Sequence, residues 1–279
     1  NQYNMNKSFL TLLMILLLLL VIVVLFVFDP IYNEPIYSYQ ALKPKFKTGD
    51  ILLFSCKKHG SVLEKLIYAM RTNIFESEYG HAGLIIRDGE KLYLAECCDA
   101  DQVGFQYAKY LNDQGCGGVR IIDLDIVLEK YYYEYQGVCS VKFISKEIPL
   151  STMMKNILKY HNRIFQDKKI IGLLAITDIF LFHPLAVKMA EFRQDGRMIC
   201  TEFVYTVLYD CGVMGYYPAK LFWPHSITNG LLDKLAVVPF SKHFKLSITD
   251  DQKNDNHDQN QNNMNILNNK LDQSGNWSP

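Results

Sequence analysis

The chain has 279 residues, 49% of them hydrophobic, and 29 basic side chains balance 29 acidic ones, so it carries no formal net charge. That length supports one sizeable core or two small ones. A balanced charge without a basic stripe argues against a nucleic-acid partner. Cysteines number seven. An odd count with no CxxC pair, and with Cys97 and Cys98 adjacent, suits neither zinc ligation nor a small disulfide scaffold. The pattern fits an environment that keeps thiols reduced, and no metal or other cofactor is implied.

In chain order, a short flank (1–8) precedes Phe9–Phe28, FLTLLMILLLLLVIVVLFVF, which has no charge, Gly or Pro. About 20 apolar residues suffice to cross the hydrocarbon layer as a helix. The run is longer than the apolar part of a signal peptide and ends in Phe28, Asp29 and Pro30 rather than in small residues. It predicts a single-pass membrane anchor, whose orientation the flanking lysines (Lys7 before, Lys43, Lys45 and Lys47 after) do not set. Residues 29–47, with Pro30, Pro35 and Pro44, read as an extended linker. A folded domain is expected over 48–248. The Asn-rich tail, 249–279, has too few apolar residues to offset the entropy of ordering and reads as disordered; its composition points to an AT-rich genome, viral or protist.

Within the domain, Asp50–Ser55, His81–Ile86 and Lys91–Glu96 read as strands, with Asp88-Gly89 as a hairpin turn between the second and third. Val119–Leu124, Val138–Ser145, Leu235–Phe240 and Phe244–Ile248 read as further strands. Ser61–Arg71 and Ser151–Phe165 read as helices, the second capped by Ser151. The mixture predicts an α+β fold with a mainly antiparallel sheet.

Two constellations carry chemistry. Cys200, Phe203, Val204, Val207, Leu208 and Cys211 fall on one helical face, and Gly212 ends the helix. Cys200 then sits in a first turn, where free N–H groups and the helix dipole favour thiolate. On the helix alone it reads equally as a small core residue. The second constellation is the hairpin. Pairing Ile86 with Lys91 sets His81 opposite Glu96, about 5 Å across the strands. A base oriented by a carboxylate is what a thiol nucleophile needs, although the same pair also reads as a solvated surface ion pair.

GDILLF (Gly49–Phe54), YGHAGLII (Tyr79–Ile86), LYLAE (Leu92–Glu96) and CTEFV (Cys200–Val204) together resemble the circularly permuted papain-like, NlpC-related superfamily. The nearest likeness is to its YiiX-like and poxviral branch, and a more remote one is to lecithin:retinol acyltransferase. The resemblance spans most of Gly49–Val213. It implies a permuted papain-like fold, with an antiparallel sheet packed against the helix that bears the nucleophile. It also implies a cysteine hydrolase with Cys200 as nucleophile, His81 as base and Glu96 as the orienting group, which the apolar run Phe9–Phe28 would anchor in the membrane. The acyltransferase branch has a second histidine at the position of Glu96 and reads Asn-Cys-Glu-His where this chain reads Ile-Cys-Thr-Glu, which counts against that assignment. The implied activity is thiol amidase or peptidase. The alternatives are a lipid-directed thioesterase or acyltransferase, and a catalytically silent membrane-tethered binding module.

Other features are secondary. Tyr79 and Trp223 are candidates for lining the substrate cleft, with ordinary packing as the alternative for Tyr79. Ile170–Val187 is apolar, but Asp178, His183 and Pro184 make a second span costly. It reads as a buried helix or as a hydrophobic lid suited to an acyl chain. His183 reads as a core histidine, His225 as a turn residue, Tyr131–Tyr135 as a packed helix or strand edge, and Cys97 and Cys98 as small apolar residues.

Overall fold

A computed structural model describes residues 35–55, 77–99, 109–110, 117–135, 137–167, 183–191 and 196–248, with a few positions between them. The predicted span Phe9–Phe28 and the tail from 249 lie outside the described residues. So does most of the predicted helix Ser61–Arg71, of which Tyr68 is helical. Tyr68 and Thr72 belong to a separate compact unit, in which the Thr72 hydroxyl donates to the Tyr68 carbonyl at 3.0 Å. Everything that follows concerns the other unit.

That unit is built on an eight-stranded sheet. Its strands are β1 (Ile36–Ser38), β2 (Ile51–Ser55), β3 (His81–Asp88), β4 (Lys91–Cys98), β5 (Lys109–Tyr110), β6 (Gly118–Asp123), β7 (Val138–Ile144) and β10 (Phe240–Ser247), in the spatial order β1-β10-β7-β2-β3-β4-β6-β5. All neighbours are antiparallel except β1 and β10. A separate parallel pair joins β8 (Ile164–Phe165) to β9 (Arg197–Met198). The helices are α1 (Tyr39–Leu42), α2 (Leu124–Tyr135), α3 (Leu150–Leu158), α4 (His183–Glu191), α5 (Cys200–Asp210), α6 (Pro224–Thr228) and α7 (Leu231–Leu235).

The alternation of β2 explains the layering. Ile51 and Leu53 enter one apolar core with Phe203, Val204, Val207 and Leu208 of α5, while Leu52 and Phe54 enter another with Val127, Leu128 and Tyr131 of α2. All five residues of β2 are buried. The Asp50 carboxylate pins this central strand by accepting the Lys47 and Ile144 N–H groups at 2.6 and 2.8 Å.

Several expectations are corrected. From Ile36 onward the supposed linker is part of the fold. Pro35 precedes β1, Pro44 lies in a single 3-10 turn (Lys43–Lys45), and Tyr37, Tyr39, Leu42 and Phe46 are buried against the α2 side of the sheet. The helix expected over Ser151–Phe165 is capped at Pro149 and ends at Leu158, because Ile164–Phe165 pairs with β9. Leu235–Phe240 is not a strand: α7 ends at Leu235, and one strand runs from Phe240, with a bulge between Phe240 and His243. Tyr131–Tyr135 closes helix α2.

The hairpin register also differs, with a consequence for the site. Asp88 pairs with Lys91, Arg87 with Leu92 and Ile86 with Tyr93, so the turn is only Gly89-Glu90, with Gly89 at φ +58° in the left-handed region. Compared with the expected register, Glu96 moves two residues along and stands level with residue 83. A shift of two keeps every side chain on its face, so Glu96 still reaches His81, but diagonally.

One glycine ties the fold to the site. A Cβ on Gly137 would lie 2.5 Å from the Tyr131 ring and 2.7 Å from the Ser55 carbonyl. Tyr131 packs on Phe54 (4.7 Å between ring centroids), which packs on His81 (5.7 Å). Gly137→Ala is expected to destabilise the protein by about 1–3 kcal/mol through overpacking. Urea denaturation of the full chain measures this, and an unchanged midpoint rejects the packing argument.

Candidate active site

The site lies where the sheet opens. The β3–β4 ladder runs from Asp88↔Lys91 to Leu84↔Ala95. Beyond it, β3 continues to His81 against β2, and β4 continues to Cys98 against β6. Ile85 donates its N–H to Asp50 on the β2 side, so by alternation the Ala82 N–H points towards β4. There it meets the Cys200 sulfur instead of a strand. Helix α5 packs across β3 and β4, and its first residue delivers the thiol into this opening.

His81, Glu96 and Cys200 converge. The His81 Nε2 and a Glu96 carboxylate oxygen are hydrogen-bonded, and the imidazole also hydrogen-bonds Cys200, which leaves Nδ1 to face the sulfur. His81 is 8% exposed and Glu96 2%. Glu96 has a further partner that sequence reasoning missed. Arg120, directly opposite it on β6, donates from Nε to the other carboxylate oxygen at 2.6 Å and also ion-pairs with it through Nη2. A signal was available, because Arg120 shares a strand face with the buried Ile122.

Electrostatics follow from this row. Burial opposes ionisation of the Cys200 thiol. The His81 charge and hydrogen bond, together with the Ala82 and Thr201 N–H groups, outweigh it and hold the thiol below its ordinary pKa. Burial likewise works against protonated His81, but the Cys200 and Glu96 charges prevail and raise it to about 10. Glu96 is lowered to about 2 despite burial, by Arg120 first and then by His81. Each of the two groups thus favours the charged form of the other, which is the direction of a thiolate–imidazolium pair.

The helix start has no polar cap. Ile199 is the cap residue and offers no side-chain hydrogen bond. The Glu202 carboxylate turns back to the Ile199 N–H at 3.3 Å, and the Thr201 hydroxyl binds the Phe222 carbonyl at 2.5 Å. First-turn N–H groups are thus left for the sulfur and for a developing oxyanion.

Of the secondary candidates, Trp223 packs with Ile199, the residue before Cys200. It is buried with Ile199, Leu221 and Leu174, and with Ala186 and Ala190 of α4, in a separate apolar cluster. Tyr79 is buried in the core on the α5 side of the sheet. Its hydroxyl bonds Ser140 at 2.6 Å and its ring stacks edge-on against His243. His225 lies in α6, where its carbonyl accepts from Asn229. Cys97 is buried and its thiol contacts the Met198 carbonyl at 3.5 Å. Among the described residues no group of three or more His, Cys, Asp or Glu is placed to hold a metal ion.

An imidazole on an early strand and a sulfur on a later helix form the permuted papain-like order implied by the motifs. Comparison gives the particular relatives. The chain is 42% identical over 207 residues to the uncharacterized protein R372 of Acanthamoeba polyphaga mimivirus, covering 74% of this chain and 83% of that protein. It belongs to the family of that mimivirus protein. No family model matches it. Among solved structures it is similar to the metalloprotein YiiX of Escherichia coli O157:H7, with 12% identity and a TM-score of 0.38 over 73% of this chain and 97% of that one.

The ion pair has a testable pH signature. An unassisted thiol, with a pKa of about 8.5, loses reactivity tenfold per pH unit below that value. Because the His81 charge lowers the Cys200 pKa, the thiolate limb should lie below that of an unassisted thiol. Iodoacetamide labelling of Cys200, followed by mass spectrometry between pH 5 and 9, should show this lowered limb, and His81→Ala should move it up. A limb no lower than that of an unassisted thiol contradicts the ion pair.

Proposed function

We propose that the protein is a thiol hydrolase of amides or esters, in which Cys200 is the nucleophile, His81 the acid–base group and Glu96 the group that orients His81. The observation that carries this reading is the imidazole bonded to sulfur on one side and to carboxylate on the other. In the first step the thiolate attacks the carbonyl carbon, and the carbonyl electron pair moves to oxygen, which the N–H groups at the start of α5 receive. The His81 Nδ1 proton passes to the leaving nitrogen or oxygen, and that bond breaks to give an acyl-enzyme. Neutral His81 then takes a proton from water, hydroxide adds to the acyl carbon, and the thiolate departs.

Amide or peptide cleavage is the first reading. A second, lipid acyl esters, is favoured by the apolar cluster around Ile199 and Trp223 beside the nucleophile and by the half-exposed Ile170 and Leu185 in the same segment. We also read Phe9–Phe28 as a single-pass membrane anchor, on its length and lack of charge.

The full chain in mild detergent, offered amide libraries and phospholipid vesicles, tests both substrate readings. Cys200→Ala should abolish release of product. His81→Ala should lower kcat by about 10²–10⁴. Glu96→Gln should lower it about 10²-fold or more by weakening the orientation of the imidazole. Activity that survives Cys200→Ala rejects the proposal. Fatty-acid release without amide cleavage selects the lipid reading.

A further inference from the structure

Four ionisable groups line up across the opening in the sheet: Arg120 on β6, Glu96 on β4, His81 on β3 and Cys200 on α5. Arg120 and Glu96 are each 2% exposed, and Cys200 is 6% exposed. Water therefore screens little here, and the signs of the charges must nearly cancel within the row. With thiolate and imidazolium in place they alternate as plus, minus, plus, minus. From this geometry we infer that Arg120 is a positioning residue whose fixed charge balances Glu96, so that the thiolate at Cys200 forms without leaving the buried row net negative.

Among the described residues, several polar groups on the neighbouring elements have partners outside the row. β2, on the far side of β3, carries no ionisable side chain from Ile51 to Ser55. On α2, which covers the opposite face, Asp125 is taken by Lys43 and Tyr39. In the first turn of α5, the Glu202 carboxylate faces the Ile199 N–H. On β9, Arg197 donates to the Phe165 carbonyl. Cys97, next to Glu96, donates its thiol to the Met198 carbonyl.

Arginine also fits the geometry. Its Nε and Nη2 both hold one Glu96 oxygen, which leaves the other oxygen aimed at His81. Removing the arginine charge leaves a row of Glu96⁻, His81⁺ and Cys200⁻. The site then relieves its net charge by keeping a proton, and the thiol is the group that stays protonated. Removing the carboxylate charge as well leaves imidazolium and thiolate alone, which are again balanced.

This inference rests on the proposed thiol chemistry, and the test separates the two. The measurement is the pH dependence of Cys200 alkylation by iodoacetamide in the full chain, which reads thiolate without needing a substrate. Arg120→Met should move the alkylation limb up by about one pH unit, so that the rate at a pH on that limb falls by up to about tenfold. Arg120→Lys, which keeps the charge, should stay within about threefold of the unaltered chain. Arg120→Met combined with Glu96→Gln should bring the limb back down, a rescue that a purely structural role for Arg120 does not produce. If Arg120→Met does not fold, the lysine variant and the double variant decide. A double variant whose limb sits as high as that of an unassisted thiol overturns the inference. So does a folded Arg120→Met whose limb has not moved. If the unaltered chain shows no lowered limb, or His81→Ala does not move it, the thiol-hydrolase reading itself fails.

Discussion

A row of four ionisable side chains, anchored by the buried Arg120–Glu96 ion pair, crosses a gap in a hydrophobic sheet, and the rest of the site is arranged around it. Breaking a buried ion pair by removing one member costs about 3–5 kcal/mol, because the other member is left without a counter-charge. The Arg120–Glu96 pair lies inside the fold with apolar neighbours, Leu94 and Ile122, on the same strand faces. Such a pair contributes little net stability over a hydrophobic substitute. Its value lies in fixing a carboxylate oxygen at one place and one charge, so that the imidazole beyond it has a single orientation.

The gap depends on register. If β3 and β4 stayed paired as far as His81, the Ala82 N–H would be used by the neighbouring strand and the sulfur would have no place in the sheet. The ladder ends at Leu84↔Ala95, and β2 and β6 hold the two diverging strands rigidly from outside. The imidazole and the carboxylate are therefore carried on strand backbone rather than on loops, which gives the site more precise geometry than loops would.

How much of this was legible in the sequence varied with the range of the interaction. The helix from Cys200 was readable because its apolar spacing is local and long. The pairing of His81 with Glu96 was readable as a shared face, but its register was not, since Asp88-Gly89 is compatible with either a two-residue or a four-residue turn. Prolines around residue 40 read as a linker, yet the aromatic side chains between them, Tyr37, Tyr39 and Phe46, were the stronger signal and are buried. Arg120 was missed because an isolated arginine in a strand ordinarily faces solvent. Only its position two residues before Ile122, on the inward face, marks it as needing a buried partner.

The start of α5 shows local preference yielding to chemistry. Helices favour Ser, Thr, Asp or Asn as cap, and replacing one of these with an apolar residue costs about 1 kcal/mol. Here the cap is Ile199, which is buried with Trp223 and Leu221. A polar cap would bind the same first-turn N–H groups that the sulfur uses, since Thr201 already donates its N–H to Cys200. It would also bring a hydrophilic side chain into the apolar cluster that holds Ile199. Isoleucine leaves the helix end electrostatically open and walls one side of it, and the stability forgone is the kind of local inconsistency expected where a backbone serves the Cys200 sulfur rather than its own helix.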